Sequence, residues 1–215
     1  MTGLTHEEWT FSWWSIEHGL AGFTSYRLIN PARAWYCWAM WRGDAPTLHV
    51  TEFDIPRRSN PMIAKAPQMW AEYVCDAPDE QWSFGNETHA VELDDIADAY
   101  SRDDGLVFGR AVPLASDLEW HATDRPRDID DGHARLGVVV GVVETADGRV
   151  EVPEMRGWFT HRASTVGSLS IWPSAWERNG HALAHLGPRL AFRYPDGQIV
   201  RLALTPEGWC RIAER

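Results

Sequence analysis

Cysteine is scarce in this chain. The 215 residues hold three, Cys37, Cys75 and Cys210, odd in number, far apart and without a CxxC pair. That spacing excludes a disulfide framework and the usual structural zinc sites. All three read as buried thiols, with a catalytic cysteine as the minor alternative. Long apolar runs are missing too: no window approaches the ~18 residues a membrane helix needs, and MTGLTHEEWT lacks the basic start and apolar stretch of a signal peptide. A soluble, cytoplasmic protein without a membrane span is expected. Positive charge is short, with 20 Lys and Arg against 31 Asp and Glu and a net charge of −11. With no basic run, nucleic acid and anionic membrane surfaces are poor partners. The chain also has no GxGxxG, Walker loop, HExxH or GxSxG, so no cofactor, no metal and no nucleophile elbow is signalled.

What the chain has is tryptophan: 13, against 7 Phe and 5 Tyr, mostly in alternating segments. From Glu8 to Ile16, Trp9, Phe11 and Trp13 share one face and Glu8, Thr10 and Ser12 the other, the pattern of a half-buried strand. Gly19 and Gly22 flank a turn, and Phe23 to Ile29 returns. WYCWAMW, residues 35–41, is apolar on both faces, as suits a strand covered on one side and lining a cavity on the other. Strands are also expected over 48–55, 69–75, 81–93, 114–123, 134–144, 190–194 and 199–204, with Asp147-Gly148 and Asp196-Gly197 as hairpin turns. The acidic segment 93–105 loses the alternation and reads as one short helix capped near Asp94. It is the only plausible divider, giving halves 1–100 and 106–215 or one continuous domain. About a dozen antiparallel strands, no βαβ spacing and less than about one fifth helix predict a closed barrel or a compact pair of barrels. An indole-lined cavity accounts for the tryptophans, with Trp13, Trp35, Trp38, Trp41, Trp70, Trp82, Trp120 and Trp158 as the candidate lining and at least four of them sharing one cavity. Core and rim packing without a ligand is the alternative.

Glu8-Trp9, Phe11, Trp13-Trp14, Gly19-Leu20 and Gly22-Phe23 resemble the Trp-rich opening of the lipocalin-like family that includes carotenoid 1,2-hydratase (hydroxyneurosporene synthase) and the AttH proteins. Further on, ASDLEW (115–120) and then Gly157, His161 and Gly167 in GWFTHRASTVG are similar to the family's GxGxRDHSWG pattern. Here Thr160 stands where the family has Asp, and Ala163 where it has Trp. The resemblance implies lipocalin-like barrels that bind isoprenoids, polyketides or related apolar molecules. In some relatives it implies protonation of an alkene or folding of a polyene for cyclisation, with His161 among the substrate-binding residues.

Two carboxylate groupings could supply an acid. Asp117, Glu119 and His121 share one strand face, and if it points into an apolar cavity, desolvation keeps one acid protonated near neutral pH. The alternative is a solvated face with Leu118 and Trp120 pointing in. Glu52 and Asp54 share a face with Leu48 and Val50, or they pair with Arg57 and Arg58 at the strand end. Glu87 and His89 also share a face, and His6, Glu7 and Glu8 alternate faces, which opposes a metal there. Two functions follow. One is a cofactor-independent cyclase, hydratase or isomerase acting on an isoprenoid- or polyketide-like substrate. The other is a non-catalytic lipocalin-like binding protein for an apolar small molecule.

Overall fold

Alternation decides the first strand. In β1 (His6–Ser15), Trp9, Phe11 and Trp13 turn one way and Glu8, Thr10, Ser12 and Trp14 the other, and both sides are buried. The computed structural model describes residues 6–101, 105–164, 177–179 and 187–213, so Gly167 of the second-half motif lies outside the described residues. A meander follows β1: β2 (Leu20–Leu28), β3 (Arg33–Arg42) and β4 (Ala45–Pro56). The next is β5 (Ile63–Ala66), β6 (Met69–Ala77), β7 (Gln81–Leu93) and β8 (Arg110–Ala122), and then come β9 (Arg127–Ile129), β10 (Gly132–Thr145) and β11 (Gly148–Ser164). They form one 11-stranded antiparallel sheet drawn from both sides of the acidic segment. The protein is all-β, with the sheet partly ringed as a barrel.

Two pairings bend the sheet into that ring. β1 pairs with β11 along its length, and β4 pairs with β7 over Thr47–Leu93, Leu48–Glu92 and His49–Val91. Beyond His49 the two strands part, and β6, with β5 behind it, takes over the edge of β7. Eight strands therefore ring one end, and the β5–β6 hairpin widens the other, since the width of a barrel grows with its strand number. The interior is aromatic. Phe11 stacks on Phe84 with ring centres 4.3 Å apart, and Trp13, Tyr26, Tyr36, Trp38, Tyr73, Trp82, Trp120 and Phe159 fill the same cluster. Gly22 lies under the Trp13 indole, where a Cβ would overlap the ring.

A second sheet explains why WYCWAMW is apolar on both faces. Its strands are β12 (Glu177–Asn179), β13 (Arg189–Arg193), β14 (Ile199–Thr205) and β15 (Gly208–Ala213), in the order β12-β15-β14-β13. The β12–β15 pair is parallel, which the sequence does not announce. Phe192, Tyr194, Leu202, Leu204 and Trp209 form a second core with Trp14, Phe23, Cys37 and Ala39 on the outer face of the barrel. Trp209 Nε1 donates to the Gly22 carbonyl at 2.9 Å. On the same outer face lies a buried ion cluster: Glu8 accepts from Ser25 Oγ at 2.6 Å, Arg27 at 2.9 Å and Arg162 at 3.3 Å. Removing one member of such a cluster strands the others without compensation.

Among its described residues the acidic segment forms no α-helix. Ile96–Ala99 and Gly105–Phe108 are single 3₁₀ turns, and the cap of the first is Asp95, not Asp94, its carboxylate accepting from Ala97 N at 2.9 Å. Cys37 and Cys210 are buried as expected, but Cys75 is exposed. The correction follows from its place at the outer end of β6, beside the irregularity between Cys75 and Ala77. Among the described residues no helix is long and apolar enough to cross a membrane.

His49 ties the two sheets together. Its Nε2 donates to the Ala191 carbonyl of β13 at 2.8 Å, and burial pushes the imidazole down to about 4. The unfolded chain binds this proton with an ordinary pKa near 6.5 while the native state refuses it, so the unfolded state gains as pH falls. Stability from His49 is thus fully present above about pH 6.5 and lost between there and pH 4, by about 3 kcal/mol at most. Thermal unfolding of the parent should lose Tm across this window, and His49→Gln should flatten that part of the profile.

Candidate functional site

Two histidines meet at the widened end of the barrel. His133 of β10 and His161 of β11 are direct partners in the ladder, with ring centres 5.7 Å apart and planes at 82°. Each is tied to a carboxylate from another element. His161 Nε2 lies 2.8 Å from Glu7 Oε1 of β1, and His133 Nε2 lies 3.0 Å from Asp79 Oδ1 in the β6–β7 turn. A carboxylate only accepts, so each Nε2 carries the proton and each Nδ1 is left as the outward-acting atom. The side chains of His161, His133 and Glu7 keep 31, 26 and 29 % exposure, sheltered yet reachable.

Local structure explains why these groups converge. Trp9 pairs with His161 across β1–β11, and its indole stacks on the imidazole at 5.2 Å and 13°. Asp79 sits at φ 57°, a left-handed conformation that Asp tolerates better than most residues, and this turns its carboxylate toward β10. Its carbonyl accepts from Arg135 Nη1. Beneath the pair lie Phe159, 5.9 Å from His133, and Trp82, 5.4 Å from Phe159. Deeper in, Tyr26 stacks on Tyr73 at 5.6 Å, and burial pushes the Tyr26 hydroxyl up to about 12. The exposed Cys75 thiol is raised by burial and by the Asp79 and Asp76 charges, the opposite of an activated nucleophile. This assembly can move protons rather than form covalent intermediates.

Polar groups without partners continue the site inward. The indole N–H groups of Trp13, Trp38 and Trp82 and the Asn86 Oδ1 are buried with no hydrogen-bond partner among the described residues. Nearby, Asn86 Nδ2 donates to Tyr36 Oη at 2.7 Å, and Thr24 and Tyr73 share a 2.8 Å bond. The interior thus sets donors and an acceptor among aromatic rings, an arrangement compatible with ligand binding.

The residues singled out in the sequence divide among three places. Trp13, Trp38, Trp82 and Trp120 belong to the interior cluster, with Trp9. Trp35, Trp41 and Trp158 pack with the second core outside the ring, and Trp70 is exposed. Asp117 and Glu119 are exposed on the outer face of β8, because Leu114, Ser116, Leu118 and Trp120 take the inner one. His121 bonds Glu119 at 3.0 Å on that outer face. Glu52 stands opposite Tyr36, half-buried where β4 leaves β7, and caps the Asp54 amide at 3.1 Å. Asp54 pairs with Arg33 at 2.6 Å in the open, not with Arg57 or Arg58. Only His161 was singled out at the widened end; Glu7, Asp79 and His133 were missed as members of this site.

Comparison with protein family models, with curated proteins and with solved structures found no match.

The turn and the imidazole partner can be separated. Asp79→Gly keeps the left-handed turn and deletes the carboxylate, so Tm should barely move while the His133 ring loses its fixed orientation, seen as a loss of ring contacts to Phe159 and His161 in proton NMR. Asp79→Val should cost about 1–3 kcal/mol in denaturant unfolding, the usual weight of a branched residue forced to positive φ.

Proposed function

We propose that this protein is a cofactor-independent enzyme of proton transfer that binds a hydrophobic, oxygen-bearing substrate at the widened end of its barrel. The supporting observation is the pair of His–carboxylate couples, Glu7–His161 and Asp79–His133, brought face to face from four separate elements over an indole. In this reading the neutral Nδ1 of one imidazole takes a proton from a carbon next to a carbonyl. The other imidazole, protonated, gives its Nδ1 proton to the carbonyl oxygen; the enol that forms then either attacks a second carbonyl carbon of the same substrate, breaking that C=O π bond as its oxygen takes the proton held by the first imidazole, or is reprotonated by that imidazole at another carbon. The carboxylates hold the rings in one tautomer and stabilise whichever is charged. Trp9 shelters that charge with its π face.

Imidazolium strength chooses between the two substrate classes. It suffices for enolisation and falls far short of protonating an isolated alkene, so polyketide-like cyclisation or isomerisation is favoured over hydration of an isoprenoid. The unpartnered indole donors fit the same choice, since a carbonyl-bearing chain gives them acceptors and a hydrocarbon does not. A carrier without chemistry is the second reading. What favours it is that Asp117 and Glu119, the carboxylates of the first candidate grouping, lie outside the barrel. The net charge of −11 keeps nucleic acid an unfavourable partner in either case.

The test is deuterium uptake at the α-carbon of an aromatic 1,3-diketone in D2O, followed by NMR, with quenching of tryptophan fluorescence as the measure of binding. His161→Gln and His133→Gln should each slow the catalysed exchange by about 10²-fold or more while the quenching persists. Binding with no catalysed exchange in the parent protein leaves the carrier as the better account.

A further inference from the structure

The outer face of β6, β7, β8 and β10 is a second, separate surface. Three rows of side chains cross these strands in register. Trp70, Glu87, Ala115 and Glu144 make the first; Glu72, Gly85, Asp117 and Val142 the second; Val74, Ser83, Glu119 and Val140 the third. The middle strands carry the small residues, so the face sinks into a trough of about 450 Å³. Gly85 cannot fill it: a Cβ there would stand 2.5 Å from the Ser116 carbonyl oxygen. The walls include apolar side chains open to solvent, with Trp70 37 % and Val74 41 % exposed.

The charges are one-sided. Arg149 at the edge is occupied by Glu151 at 2.7 Å and Glu144 at 3.3 Å, and Glu119 is occupied by His121. Glu72, Glu87 and Asp117 have no ion-pair partner among the described residues. Glu72 and Asp117 stand on either side of Gly85, two strand spacings or about 10 Å apart at the backbone. Among the described residues no three His, Cys, Asp or Glu side chains gather closely enough to hold a metal ion. Carboxylates spread across an apolar trough match a cation whose charges are likewise spread.

We propose that this trough binds a linear polyamine. Its methylene stem lies on the Gly85 and Ala115 floor, and its ammonium groups pair with Glu72, Glu87 and Asp117. The exposed Trp70 indole adds a cation–π face at one wall. The overall charge of −11 draws such a ligand in from solution. This inference is independent of the barrel-end chemistry.

Calorimetric titration of the full chain with spermidine at low ionic strength tests it. Saturable one-to-one binding is expected, stronger than that of n-butylamine. E72Q, E87Q and D117N should each weaken it about threefold, and the triple variant more than about tenfold, the range of exposed charge pairs. These positions are at the surface, so an unchanged Tm shows that the fold is intact, and W70L should weaken binding with no change of charge. No saturable binding overturns the proposal, as does undiminished binding by the triple variant or displacement by magnesium chloride that matched sodium chloride reproduces. Binding of a lysine-rich peptide but not spermidine also overturns it, in favour of a protein partner.

Discussion

Three residue pairs hold the ring shut. The short β4–β7 ladder at Thr47, Leu48 and His49 is the backbone pairing that joins the first meander to the second on that side. Because it ends at His49, the barrel is narrow on one side of this point and flared on the other. The imidazole of that last residue also reaches out to β13. One position therefore sets both where the barrel opens and where the small sheet sits. The widened end, with its histidines and turn aspartate, exists because β4 and β7 stop pairing there.

The tryptophans divide the same way. Inside the ring, Trp13, Trp38 and Trp82 leave their N–H groups unmatched while Trp120 donates to the Gly157 carbonyl at 3.4 Å; Trp158 and Trp209, outside the ring, find backbone carbonyls at 3.1 and 2.9 Å. Buried donors without acceptors are costly. Backbone meets the demand at Trp120, Trp158 and Trp209; Trp13, Trp38 and Trp82 keep it open. An aromatic interior with unmet donors differs from an oil-like core.

Much of the fold was legible because β-strands declare themselves by parity. Alternation in 8–15 and 114–123 sorted the side chains correctly onto two faces, but it did not say that both faces of 8–15 are buried or that Asp117 and Glu119 point out of the barrel; the doubly apolar 35–41 strand pointed to cover on its outer side. Parity along one strand does not say which other strand comes alongside, and the site depends on that. The Asp147-Gly148 turn comes close: counting back symmetrically from it sets His133 opposite Thr160. The irregularity between Val139 and Gly141 then shifts the ladder by one and sets His133 opposite His161. A single extra residue, invisible to hydrophobic pattern, decides whether two histidines face each other or opposite sides of the sheet. Glu7 and Asp79 were hidden for a related reason, since their partners lie 154 and 54 positions away.

The long β1–β11 ladder carries a consequence for how the chain is made. β1 can pair with β2 at once, but its other edge has no partner until residues 148–164 have been synthesised. At about 5–20 residues per second this delay is on the order of ten seconds. During that time WTFSWWS, among the most apolar strands in the protein, presents an open edge to whatever it meets. The strand that later forms the wall under His161 is therefore the one most in need of a chaperone at the ribosome, and buried charge on its opposite face, at Glu8, keeps it from being an unbroken apolar template.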